Sequence, residues 1–165
     1  MNKIAIFVLL QLTFLLLLME FSTLATPPLI THTDYLTLNY RPDLQLLVLR
    51  WLRDASLSEM QIGHQEALHL ARQHAATQWF IDVRRRLLVE HTHTSWVINE
   101  FLPQAATLLQ APLRVAYLMS PHRQRTIDSQ PELQAIFARA HVPTLPYRME
   151  SFMNEAEAIE WLLDK

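Results

Sequence analysis

Residues 35–51, YLTLNYRPDLQLLVLRW, carry the pattern from which the fold can be predicted. Apolar and polar side chains alternate over Tyr35–Tyr40, which is typical of a half-buried strand. Pro42 then stands at a position that suits a type I turn. Residues 45–52 are more continuously apolar, so we expect an inner strand that pairs antiparallel with the first. The stretch therefore predicts a β-hairpin that begins a larger sheet.

Helices and strands alternate along the rest of the chain. Ser56 and Glu59 form a capping-box pattern that opens a helix ending near His74. Further strands are predicted over 78–84, 113–119 and 144–150, and further helices over 94–109, over 131–140 and after Asn154. Pro103 is expected to bend or divide the second helix. Crossover helices of this length indicate an α/β fold, β-β-α-β-α-β-α-β-α, with a mixed, mostly parallel five-stranded sheet.

Three segments extend this prediction to a family. They are the hairpin, the strand WFIDVR at 79–84 and the C-terminal FMNEAEAIEWL at 152–162. Together with the element order they resemble the SpoIIAA-like fold of STAS domains, and the last segment is similar to the ending of small bacterial STAS-like proteins of unassigned function. In antagonist-type STAS domains the loop after the third strand carries a phosphorylated Asp-Ser-x-Gly motif. Residues 84–95 read RRRLLVEHTHTS instead, so the phosphoswitch is not expected here.

Residues 1–28 form a hydrophobic leader, which we separate from the STAS-like domain at 33–165. The apolar run Ile4–Met19, followed by small residues up to Ala25, suits a secretory signal cleaved after Ala25. The run is shorter than the about 20 residues that a membrane-spanning helix needs. A second possibility is that the segment is kept as a membrane anchor. Alternatively, translation begins at Met19. The protein is cytoplasmic in that case, and exported or membrane-anchored otherwise.

The composition excludes several classes of site. The chain contains no cysteine, which removes disulfides, thiolate zinc sites and thiol nucleophiles. Its single glycine, Gly63, rules out a Walker loop, a GxGxxG turn and a GxSxG elbow. With 14 Lys+Arg against 16 Asp+Glu, no overall basic field favours nucleic acid. Because no residues have the type and spacing for acid–base or nucleophilic work, we expect neither catalysis nor a cofactor.

The candidate ligand or partner crevice lies where the predicted strands end, which is where open α/β sheets bind ligands. Asp82 and Arg84 share a face of their strand, either as part of this crevice or as an ion pair that neutralises buried charge. We expect Asp82 to accept hydrogen bonds from Arg84, Arg50 or a neighbouring strand end. Arg85 and Arg86 are expected at the surface, where they attract phosphate or an acidic partner, or simply form a solvated loop. The crevice residues are Asp82, Arg84, Arg85, Arg86, Ser120, His122 and Arg123.

The histidines suggest little chemistry. His91 and His93 offer two imidazoles to a metal, but two histidines in a loop are usually solvated, and we expect no metal site. His64 lies on the apolar stripe of the first helix, which predicts a core-edge histidine with a hydrogen-bond partner.

The resemblance implies a non-catalytic regulatory or interaction module. Its expected partner is a protein of unknown identity rather than nucleic acid, with membrane contact only through a retained leader. The alternative is a domain that binds a small ligand, a lipid or a nucleotide, because SpoIIAA-like folds also occur in lipid carriers.

Overall fold

The computed structural model describes residues 30–164, which form a six-stranded mixed sheet with helices on both faces. Its strands are β1 (Ile30–His32), β2 (Leu36–Arg41), β3 (Leu46–Trp51), β4 (Gln78–Asp82), β5 (Leu113–Leu118) and β6 (Tyr147–Phe152). The strands lie in chain order across the sheet; β2 is antiparallel to both of its neighbours, β1 and β3, and the strands from β3 to β6 are parallel. The predicted α/β class is confirmed. All five predicted strands are present, and β1 adds a sixth just before the predicted domain start at Thr33. The hydrophobic leader at 1–28 lies outside the described residues.

The helices follow the predicted order, with one addition. They are α1 (Leu57–His74), α2 (His91–Trp96), a π-helical turn (Val97–Phe101), α3 (Leu102–Leu109), α4 (Pro121–Ser129), α5 (Pro131–Arg139) and α6 (Glu155–Leu163). Sequence periodicity missed α4, because only Arg123 and Ile127 in it are buried and one of these two is charged. Within residues 30–164, no helix has the length and apolar character needed to cross a membrane.

Each face of the sheet has its own apolar core. Side chains alternate along β4, so that Ile81 joins the larger core and Phe80 the smaller one. The larger core is covered by α1, by the helix running from α2 through α3, and by α4 and α5; we call this side the crossover face. Ala158 and Leu162 of α6 cover the smaller core, and we call that side the α6 face.

Pro103 is predicted to bend or divide the second helix, and the structure has a π-helical turn just before it. Proline has no N–H to donate to the carbonyl of the preceding turn, which weakens the regular helical ladder at this point. Over the turn the N–H of Leu102 bonds to the carbonyl oxygen of Val97. The helix continues through the turn without breaking into two separate helices.

Candidate functional site

The sheet separates the predicted crevice residues into two groups. Asp82 lies on the α6 face, where Arg84 pairs with it. Arg86 and Arg123 are buried on the crossover face. They lie beneath residues 84–90, which we call the 84–90 loop. The remaining three residues are not brought into one site with these two pairs. Ser120 caps α4 by accepting a hydrogen bond of 3.2 Å from the N–H of Arg123, and Arg85 and His122 are exposed.

On the α6 face, four charged side chains form a closed cluster. Its members, which we call the four-charge cluster, are Arg50, Asp82, Arg84 and Glu155. Asp82 accepts hydrogen bonds of 2.7 Å from Arg50 and of 3.0 and 2.7 Å from the Arg84 guanidinium. Glu155 accepts from Arg84 at 2.9 Å and from Arg50 at 2.5 Å. The predicted pairing of Asp82 with Arg84 or Arg50 is therefore confirmed.

The electrostatics of this cluster are those of a structural ion-pair network. Burial alone would raise the pKa of Asp82, but hydrogen bonds from Arg84 and the charges of Arg84 and Arg50 outweigh it and lower that pKa. The Arg50 hydrogen bond likewise lowers the pKa of Glu155. Two cations and two carboxylates neutralise one another and tie the first turn of α6 to the ends of β3 and β4. Sequence reasoning missed Glu155, because it lies 105 residues from Arg50.

On the crossover face, Arg86 contradicts the expectation of a surface position. Only 4% of its area is exposed. The backbone turns directly after β4, where the N–H of Arg86 donates to the carbonyl of Val83 at 3.0 Å, and the side chain passes beneath the 84–90 loop. Its guanidinium lies 5.4 Å from the centre of the Trp51 ring and contacts the sulfur of Met60 and Nδ1 of His93.

Arg123 is the second buried arginine at this place, with 2% of its area exposed. Its Nη1 donates to the carbonyl of Leu88 at 2.8 Å, and its guanidinium lies 5.9 Å from the centre of the Tyr117 ring. Within the part of the chain that the structure describes, neither Arg86 nor Arg123 forms a salt bridge, and the Nε of each is buried without a hydrogen-bond partner. Burial lowers the pKa of Arg86, and the charge of Arg123 acts in the same direction, while the more distant carboxylates of Asp54 and Glu90 act against both.

Both arginines line one cavity near the carboxyl ends of β3, β4 and β5. Its other polar walls are His64, His93, Thr94 and Tyr117. Together with the open space at its mouth the cavity spans about 380 Å³, of which only about 20 Å³ admits the centre of a water molecule. That interior corresponds to one or two waters, so the cavity suits a single small group.

The histidines take separate places. The predicted hydrogen-bond partner of His64 is present, since its Nδ1 lies 2.8 Å from the carbonyl oxygen of Met60. The residue is only 2% exposed, so it lies within the core and not at its edge. Burial lowers the pKa of His64 to about 4. His93 is buried with Nδ1 2.5 Å from Glu90, whereas His91 is exposed and bonds to Gln130. Among residues 30–164, no three side chains of metal-binding type converge.

The 84–90 loop presents apolar side chains to solvent although its backbone is well anchored. Leu87 and Leu88 are 62% and 57% exposed. The N–H of Leu88 donates to the carboxylate of Asp54 at 3.0 Å, and its carbonyl accepts from Arg123. The N–H of Arg84 donates to Asp82 at 3.0 Å. Hydrogen bonds at Arg84 and Leu88 therefore fix the loop, while its two leucines remain uncovered by residues of the described part.

Comparisons of this chain with protein-family models, with curated proteins and with solved structures give no match. The arrangement of residues therefore carries the functional argument. It consists of a neutral charge cluster on one face, a cationic cavity on the other, and an anchored apolar loop above the cavity.

Proposed function

We propose that this chain is a non-catalytic STAS-like module that binds a protein partner through the 84–90 loop. The observation that carries the proposal is the exposure of Leu87 and Leu88 on an anchored backbone. Binding residues are often placed on loops that a rigid scaffold positions. A loop held in one conformation loses little entropy when it binds, and its two leucines supply apolar area that a partner removes from water.

The chemistry of the loop defines the partner surface. Arg85 is exposed beside the two leucines, and its charge is not neutralised by a salt bridge among the described residues. Arg84, by contrast, is already engaged in the four-charge cluster. The partner is therefore an apolar protein surface bordered by carboxylates that pair with Arg85.

The fold gives secondary support. Strands in chain order, joined by helices that cover one face, are compatible with the SpoIIAA-like arrangement. In antagonist-type STAS domains the phosphorylated loop follows the third strand. The corresponding loop in this chain follows β4, and it carries leucines and arginines. Binding through this loop would thus not depend on phosphorylation of an Asp-Ser-x-Gly motif. Because one fold hosts many functions, the loop rather than the fold is the main argument.

The test compares the full-length protein with a variant carrying both Leu87→Ser and Leu88→Ser. Leu108→Ser is the matched control, because Leu108 is also an exposed leucine, 44% exposed on α3. Proteins captured from an extract of the source cells are identified by mass spectrometry, and the binding of the purified partner is then measured by calorimetry. We expect the double variant to bind about tenfold or more weakly, the loss typical of removing an interface anchor, and Leu108→Ser to bind normally.

Charge reversal tests the acidic part of the partner surface. Arg85→Glu is expected to weaken binding of the same purified partner and to reverse the effect of salt at this position, since the attraction becomes a repulsion that added salt screens. Equal binding by the wild type, the double leucine variant and Leu108→Ser would overturn the proposal.

A small-ligand function is the second candidate, and one observation favours it. Arg86 and Arg123 lie buried together beside a cavity without a carboxylate paired to either one among the described residues. The small interior favours a compact anion over an acyl chain or a whole nucleotide.

A further inference from the structure

We infer that the cavity beneath the 84–90 loop binds a dianionic phosphate group between Arg86 and Arg123. This inference rests on the small-ligand candidate and names its ligand, and it is independent of the proposed protein interaction, because a partner can bind the outer surface of the loop whether or not the cavity is filled. A buried cation without a counter-charge is costly, and proteins normally pair such groups or place them where they meet an anion.

The contacts within the protein leave most of the guanidinium donors unused. A guanidinium carries five N–H donors. Those of Arg86 meet only the weakly accepting sulfur of Met60 and the ring of His93, and those of Arg123 meet only the carbonyl of Leu88. The Nε of each arginine is buried without a partner among residues 30–164. The unused donors thus belong to two nearly fully buried side chains that line the same cavity.

The remaining walls suit oxygen atoms of an anion. Thr94 and Tyr117 line the cavity, and their hydroxyls form no hydrogen bond with any other described residue. A hydroxyl can donate to a phosphate oxygen, and guanidinium groups match phosphate geometry through paired N–H bonds. Two positive charges balance the two negative charges of a phosphate monoester or of inorganic phosphate. Because the interior admits only one or two waters, one or two phosphate oxygens lie inside it and the rest of the group lies at the mouth.

The test uses the purified full-length protein in phosphate-free buffer at constant ionic strength. Inorganic phosphate is titrated by calorimetry, and its effect on the melting temperature is measured in parallel. Glycerol 3-phosphate, sulfate and chloride form the other arms. We expect inorganic phosphate to bind and to raise the melting temperature, as a ligand specific for the folded state must. Tighter binding of glycerol 3-phosphate would identify a phosphate monoester as the ligand, and tighter binding of inorganic phosphate would identify the free ion.

The deciding variant is Arg86→Met, which retains a long side chain against Trp51 and Met60 but removes the charge. Arg125→Met is the matched control, because Arg125 is an exposed arginine of α4 two residues after Arg123. We expect the dissociation constant for phosphate to rise about tenfold or more in Arg86→Met and to stay unchanged in Arg125→Met. The melting temperature of Arg86→Met without phosphate reports whether the variant is folded.

A second variant keeps the inference testable if Arg86→Met fails to fold. Thr94→Val preserves the shape of the side chain while removing the hydroxyl, and a several-fold weaker phosphate affinity is expected. Three results would overturn the inference: no phosphate binding by the wild type, unchanged binding by a folded Arg86→Met, or chloride binding as tight as phosphate binding. The Leu87→Ser, Leu88→Ser variant should retain phosphate binding, so failure of the partner proposal and failure of this inference are distinguishable.

Discussion

The hydroxyl of Tyr147 in β6 donates a hydrogen bond of 2.9 Å to the carbonyl oxygen of Ile98 in the π-helical turn. In a regular α-helix the N–H of Leu102 would bond to that carbonyl, but here it bonds to Val97. The turn therefore leaves the Ile98 carbonyl without its helical donor, and a side chain from the sheet replaces it. Burial raises the pKa of Tyr147 to about 12, so the hydroxyl keeps its proton at any physiological pH.

Replacing this hydroxyl should destabilise the fold. Tyr147→Phe leaves the Ile98 carbonyl buried without a donor, and we expect the free energy of unfolding to fall by about 1–3 kcal/mol. Urea denaturation followed by circular dichroism measures the change. Tyr40→Phe is the control: its hydroxyl forms no hydrogen bond with another described residue, and its ring still stacks on His74. A change in Tyr147→Phe as small as that of the control would show that the hydrogen bond contributes nothing.

Asp82→Ala tests the four-charge cluster. The side chain of Asp82 is only 9% exposed, and removing it leaves Arg50 and Arg84 with fewer acceptors. We expect a loss of about 1–3 kcal/mol in thermal or chemical unfolding. Because the pKa of Asp82 is lowered in the folded state, its contribution is present above its ordinary pKa of 3.8 and is lost as the pH falls below it.

The exposed pair of Arg41 and Asp43 provides the control for this variant. Their side chains are 46% and 58% exposed, so Asp43→Ala should leave stability almost unchanged. If Asp82→Ala is equally mild, the cluster has no structural role.

Because His64 is buried, we expect the protein to lose stability in mildly acidic solution. Its folded pKa of about 4 lies below its ordinary value of 6.5, so between these values the unfolded chain binds more protons. Stability should therefore fall as the pH decreases from 6.5 towards 4, by roughly 2 kcal/mol between pH 7 and pH 5. Unfolding by urea at the two pH values measures this change in the wild type and in His64→Phe, which should lose most of the dependence.

The control for this prediction is His69→Gln, which removes an exposed histidine from the same helix. It should keep the pH dependence of the wild type. A wild type that is equally stable at pH 7 and pH 5 would contradict the burial of a neutral His64.

Gly63→Ala tests the packing of α1 on the sheet. In most helices this change stabilises by up to about 1 kcal/mol. Here the added Cβ would lie 2.6 Å from Cδ2 of Leu36 and 2.9 Å from Cη2 of Trp51. We expect a destabilisation of about 1–3 kcal/mol in chemical unfolding, because the rigid indole ring cannot move away easily. Gln65→Ala, at an exposed position of α1, should be nearly neutral, and a stabilising Gly63→Ala would contradict this tight packing.

The sequence by itself determined the elements whose signals are local. Alternation over 35–40 and the apolar run after it correctly predicted the paired strands β2 and β3. The capping box of Ser56 and Glu59 marked the start of α1, and Asn154 marked that of α6. Pro103 indicated the irregular second helix, although not the π-helical form that it takes. Each of these features depends on residues only a few positions apart, so their conformational preferences can be predicted from one sequence.

Only the tertiary structure decided which side chains meet. The three consecutive arginines look alike in sequence, yet Arg84 pairs with Asp82, Arg85 faces solvent and Arg86 lies buried beside Arg123. That outcome depends on a backbone turn after β4 and on an arginine 37 positions later, and no local pattern encodes either one. Glu155 reaches its partners across the sheet for the same reason. Burial and charge pairing depend on residues that only the complete fold brings together, so the candidate site could be identified only from the tertiary structure.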